Sequence, residues 1–190
     1  MVYPNKQTGF TLVEMIGVMA VIAILASVAA PRVFESIEDA KVTKLVQQIQ
    51  TIKTASAKFY ADTGTWPLFH NSATYATNDT YHTLIKSNSI QGWQGPYLDK
   101  EPAHPFQPSA TLYLVNTATA AYQCDSDGDG TTEGPWLSYY FTGMTLKTME
   151  KVSNIIDSDG GATDWGTAGL VKQYNGNSTT GMVVCLTRTG

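Results

Sequence analysis

Residues 10–30 carry a single charged side chain, Glu14, in an otherwise apolar run. A helix rising about 1.5 Å per residue crosses the roughly 30 Å hydrocarbon core of a bilayer in about 20 residues. The segment therefore predicts a membrane helix near the N-terminus. Two other readings compete. A cleaved secretory signal would use the small residues Ser27-Val28-Ala29-Ala30, although its apolar region is shorter and follows a more basic start. A buried core helix so uniformly apolar would need protein on every side, and a chain of 190 residues supplies little. Neither explains Glu14. A carboxylate inside a membrane helix costs about 2.5–3.5 kcal/mol on insertion scales and calls for a partner or a function. No Lys or Arg lies in the segment. Cutting the chain after Gly9 would create a cation, the free α-amino group of Phe10, at nearly the depth of Glu14 in another copy.

Those residues carry a resemblance. Gly9-Phe10-Thr11-Leu12-Val13-Glu14, behind a hydrophilic leader (1–8) containing Lys6, resembles the processing site of type IV prepilins and the related pseudopilins. The resemblance implies cleavage between Gly9 and Phe10 by a prepilin peptidase and N-methylation of Phe10. It further implies that inner-membrane machinery packs the helices into a filament core, with Glu14 neutralising a neighbour's amine during assembly. Gln7-Thr8 stand where many such leaders place a basic residue, and Lys6 is the substitute. The organisation expected is a leader at 1–9, a transmembrane or filament-core helix at 10–30 and a pilin-like globular domain at 31–190.

Pro31 removes an i→i−4 hydrogen bond, so a helix running through it must kink or open locally; alternatively it starts a second helix. Beyond it Phe34, Ile37, Lys41, Leu45, Ile49, Ile52, Ser56 and Phe59 recur at mostly three- and four-residue spacing, an incomplete apolar stripe broken by Lys41 and Ser56, which predicts an amphipathic helix ending near Asp62-Thr63-Gly64. Short runs rich in β-branched and aromatic residues at 110–116, 137–142, 168–174 and 181–187 predict strands, and 146–156 reads as a short helix. The fold class expected is α+β, with a long N-terminal helix, half membrane and half amphipathic, packed on a small antiparallel β-sheet.

Two local patterns point to different branches of that family. The segments 61–67 and 92–98 are similar to stretches of pseudopilins from type II secretion systems, whereas Cys124 and Cys185 resemble the pair bounding the C-terminal disulfide loop of many type IV pilins. Two reduced, buried thiols are the alternative. Between the cysteines, Asp125, Asp127, Asp129 and Glu133 occupy positions one, three, five and nine of a calcium loop, Gly130 position six, and Thr131 position seven, where a carbonyl is used. Position twelve is Trp136 and not an acid, so a looser Ca²⁺ site is weighed against a solvated turn. Asp157-Ser158-Asp159-Gly160, with Asp164 beyond, echoes the pattern and reads as a turn after the short helix.

Twelve Lys and Arg against 16 Asp and Glu, with no basic cluster, give no footprint for a nucleic acid. His70, His82 and His104 lack acids or cysteines at metal-ligand spacing and read as surface residues. Trp66, Trp93, Trp136 and Trp165 lie near Gly or Pro and read as loop anchors. No catalytic constellation is present in the sequence. The reading is a non-enzymatic structural subunit of a type IV pilus-like cell-surface filament, a homopolymer held in the inner membrane before assembly. A periplasmic pseudopilin of a type II secretion system is the alternative, and a membrane-anchored binding domain that never polymerises is the third.

Overall fold

The computed structural model describes residues 9–70, 82–87, 89–110, 112–157, 169–174 and 181–189. Helix α1 spans Leu12–Thr63 and contains Pro31, so Pro31 does not begin a new helix. At its other end the Thr63 hydroxyl donates to the Phe59 carbonyl at 2.8 Å, and Gly64, at φ +70°, donates its amide to the Tyr60 carbonyl. A glycine in this left-handed conformation takes up a carbonyl the helix leaves open.

The chain forms two compact units, Met1–Ala40 and Lys41–Gly190. In the first, the apolar side chains stand exposed, from Phe10 at 84% and Val28 at 64% to Phe34 at 70%. That overturns the buried-core-helix reading. In the second, α1 buries Val42, Leu45, Ile49, Ile52, Ala55, Ser56 and Phe59. The stripe expected from the sequence needs correction here, because Phe34, Ile37 and Lys41 are exposed and Val42 takes the position assigned to Lys41. From Val42 the spacing alternates three and four residues, which keeps one straight line of side chains along the helix.

Five strands form one antiparallel sheet: β1 Phe69–His70, β2 Leu112–Thr117, β3 Trp136–Phe141, β4 Val171–Gln173 and β5 Met182–Arg188, in the order β1-β2-β3-β5-β4. The four expected strands are present with ends shifted by one to three residues. Strand β1 was not expected, since two residues carry no periodicity and the strand exists only by pairing Phe69 with Leu114. Helix α2 spans Leu146–Ile156, capped by the Thr145 hydroxyl, which accepts from the Thr148 amide at 3.3 Å.

Period-two alternation sorts the strands into two faces. Leu112, Leu114, Leu137, Tyr139, Phe141, Met182, Val184 and Leu186 join the buried α1 residues and Met149 and Val152 of α2 in the main core. Within it the Tyr139 hydroxyl accepts from Gln48 Nε2 at 2.9 Å, so its polar tip is satisfied where the ring is buried. On the opposite face Tyr140, Val183, Trp136 and the two cysteines form a second cluster, with Tyr113, Tyr122 and Tyr174 packed on it.

Candidate functional site

The N-terminal site begins with two exposed residues, Gly9 and Phe10, ahead of α1. A Cβ added at Gly9 meets nothing within 4 Å among the described residues. The fold itself places no demand for glycine there. Thr11 precedes the helix and is locked to Glu14: its amide and its hydroxyl each donate to Glu14 Oε2 at 2.8 Å, and the Glu14 amide donates back to the Thr11 hydroxyl at 3.3 Å. This is a capping box, which satisfies two helix-end donors reciprocally. Within the chain the partner of Glu14 is thus Thr11 and not a cation, and the T-x-x-E pattern of residues 11–14 is its signal in the sequence. With both Thr11 donors on Oε2, Oε1 makes no hydrogen bond among the described residues.

The acidic loop is held at its base. Cys124 and Cys185 form a disulfide with Cα atoms 6.3 Å apart, and both are buried; the reduced-thiol alternative does not hold. The Glu133 amide donates to the Cys124 carbonyl at 3.0 Å, and the Gly169 amide donates to the Asp125 carbonyl at 2.8 Å. Asp125, Asp127, Asp129 and Glu133 each offer a carboxylate oxygen, and these oxygens lie within 4.8 Å of one another. Asp125 is 3% exposed; its Oδ1 accepts from the Gly128 amide at 2.7 Å and its Oδ2 from the Gly130 amide at 2.8 Å. Gly128 and Gly130, at φ +76° and +88°, supply the left-handed turns that aim those amides inward. Glu133 Oε2 accepts from the Ser126 amide and hydroxyl. Thr131 donates its amide and hydroxyl to Asp129 Oδ1.

These bonds set the electrostatics. The Thr131 hydroxyl and amide lower the Asp129 pKa, and the Ser126 amide and hydroxyl lower that of Glu133. Asp127 moves the other way: the Asp129 amide pulls it down, but loss of hydration, the charges of Asp129 and Glu133 and a hydrogen bond with Glu133 together raise it. Four hard oxygen donors with mutual repulsion suit a Ca²⁺-class ion better than a softer metal. Trp136, at the twelfth position, lies buried in β3, so the chain has already turned into the sheet where a calcium loop would place its bidentate acid.

Elsewhere the structure corrects two expectations. His82 and His104 are 2% and 6% exposed and are not surface residues. The His82 ring meets Phe69 edge-on, with Nδ1 3.1 Å from Glu101 Oε1. His104 Nδ1 accepts from the Phe106 and Gln107 amides at 3.2 and 2.9 Å, and its ring packs against Phe141. Trp136 is a strand residue and not a loop anchor. Trp93 does anchor a loop, donating Nε1 to the Thr83 carbonyl at 2.8 Å, and Trp66 stacks on Tyr60. Asp157 caps α2 and accepts from the Leu170 and Val171 amides. Asp159, Gly160, Asp164, Trp165 and the leader residues 1–8 lie outside the described residues.

The two segments singled out by similarity to pseudopilins pack on each other. Tyr97 donates its hydroxyl to Asp62 Oδ2 at 2.8 Å, and a Cβ at Gly92 would come within 2.2 Å of the Asp62 carbonyl oxygen. The C-terminal turn of α1 is thus closed by residues 92–97.

Residues 4–30 match the prokaryotic N-terminal methylation motif, and residues 36–123 match the family described as PilW, C-terminal. No curated protein matches the chain.

Proposed function

We propose, from the premise that a prepilin-type methylation motif and a PilW C-terminal domain are both features of type IV pilin-like and pseudopilin proteins, that this chain is a structural subunit of a type IV pilus-like surface filament. Such families are structural and in general not enzymatic. The subunit is anchored in the inner membrane by residues 10–30, loses residues 1–9 to prepilin peptidase, and then polymerises with other copies through α1.

One observation carries the reading. The apolar part of α1 is exposed on every side in the monomer, beginning beside a Gly9-Phe10 junction and a Glu14 carboxylate with one oxygen open. A bare helix of this kind is stable in lipid, where its backbone bonds are internally satisfied, or packed against other helices. The PilW match supports a pilus-associated subunit. As part of the same proposal, the acidic loop takes one Ca²⁺ through Asp125, Asp127, Asp129 and Glu133, with Thr131 holding Asp129 in place. The secretion pseudopilin remains the second reading, favoured by the packing of residues 92–97 on the end of α1.

Purified surface filaments should contain this chain, and N-terminal sequencing of that material should begin at N-methylated Phe10. A start at Met1 or near Pro31 refutes the processing step. Loss of protein secretion on deletion, with surface filaments intact, would favour the second reading.

A further inference from the structure

We propose that Arg32 and Glu35 form an ion pair between neighbouring copies, in the same axial register that brings Glu14 of one copy to the Phe10 amine of the next. The inference rests on the filament reading above and extends it from one end of the apolar span to the other.

Both side chains are exposed, and neither makes an ion pair among the described residues. They stand three apart on one helix, close enough in sequence to interact, yet they do not pair within the chain. Arg32 lines a shallow groove with Val33, Ser36, Ile37 and Ala40. Arg32, Ser36 and Ala40 follow one another at four-residue spacing, so two small side chains beside the guanidinium leave room for a neighbouring helix.

The spacing of charges fixes the register. After cleavage the chain has a cation at Phe10 and an acid four residues later at Glu14; past the apolar run it has a cation at Arg32 and an acid three residues later at Glu35. At about 1.5 Å per residue these offsets are about 6 Å and about 4.5 Å, in the same direction. A single axial shift of one copy along a parallel neighbour therefore brings both acids level with both cations. The mismatch of about 1.5 Å is within the reach of an arginine side chain. Had acid preceded cation at the second site, the shift that joins the first pair would have separated the second. Glu38 and Asp39 lie six and seven residues from Arg32, about 3 and 4.5 Å out of this register against about 1.5 Å for Glu35. Glu14 and Glu35 are 21 residues apart, which at 3.6 residues per turn sets them about 60° apart around the helix. One neighbour can meet both.

The test uses the full chain in filament-forming cells. Arg32→Cys and Glu35→Cys variants are expressed separately and together, and sheared filaments are oxidised. The buried Cys124–Cys185 bridge is already closed in each. The proposal expects a covalent dimer in the mixture that exceeds, severalfold, the dimer from either variant alone, because only the mixture can join position 32 to position 35. Equal or absent dimer, in filaments that contain both variants, overturns the register while leaving the filament reading standing. Charge reversal provides a second arm: Arg32→Glu and Glu35→Arg should each lower filament yield severalfold, and the double variant should recover most of it. Normal yield from Arg32→Glu overturns the pair, and absence of the wild-type chain from filaments overturns both readings.

Discussion

Opening the Cys124–Cys185 bridge tests how the globular unit is held together. The two cysteines are 61 residues apart in sequence. In the chain-entropy model, closing a loop of that length restricts the unfolded ensemble by about 4 kcal/mol at 25 °C. The native side of the balance should change little. Both sulfurs are buried among Trp136, Tyr140 and Val183, and reduced thiols would occupy nearly the same space. The effect is thus expected to come from the unfolded state. A fragment of residues 31–190 would be unfolded in urea with and without a reductant, following tryptophan fluorescence. With a slope of about 2 kcal/mol per molar urea, the midpoint should fall by about 2 M on reduction. Against a typical stability of about 5–15 kcal/mol, the reduced fragment should still fold, with about 1–11 kcal/mol left. A fall below about 1 kcal/mol, with thiol titration proving complete reduction, would refute the entropic account.

Three further outcomes are expected. Glu14→Ala should leave the chain folded and inserted in the membrane yet reduce its incorporation into filaments; normal filament yield would sink the pairing of Glu14 with a neighbour's amine. Burial lowers the His104 pKa, partly offset by the Thr142 backbone, and the neutral ring is the form that accepts from the Phe106 and Gln107 amides. Since the unfolded imidazole titrates near 6.5, His104 contributes its full stability above that pH, and the contribution falls as pH drops toward the lowered native value. Stability measured against pH should therefore be flatter between pH 6.5 and 5 in His104→Gln than in the wild type, and unchanged slopes would show that another group governs acid sensitivity. If the acidic loop takes Ca²⁺, EDTA should lower the melting temperature of the 31–190 fragment, with Ca²⁺ restoring it better than Mg²⁺ and Asp127→Ala removing the response. A melting curve indifferent to chelation would return Asp125–Glu133 to a solvated turn.

Local pattern was enough for much of this molecule. The length and uniform apolarity of residues 10–30 dictated a membrane-competent helix, and Gly64 marked the end of α1 because a left-handed residue is needed there. Helix α2 and four strands were legible because their periodicities are properties of consecutive residues. The spacing of Asp125, Asp127, Asp129 and Glu133 likewise announced a convergence of carboxylates that the fold then produced. What the sequence left open depends on residues far apart in the chain. Whether Lys41 or Val42 faces inward was decided by the sheet beneath the helix, since both fit a helical period and differ by only one step around it. The two-residue strand β1 has no pattern of its own and exists because β2 offers it partners. His82 and His104 sit in loop-rich sequence yet are buried, because Glu101 lies beside one ring and the Phe106 and Gln107 amides supply hydrogen bonds to the other, partners that only the folded chain brings into place. Hydrophobic periodicity is encoded locally and can be read along the chain; the identity of the packing partner is a non-local choice, and it is this choice that only the tertiary structure decided.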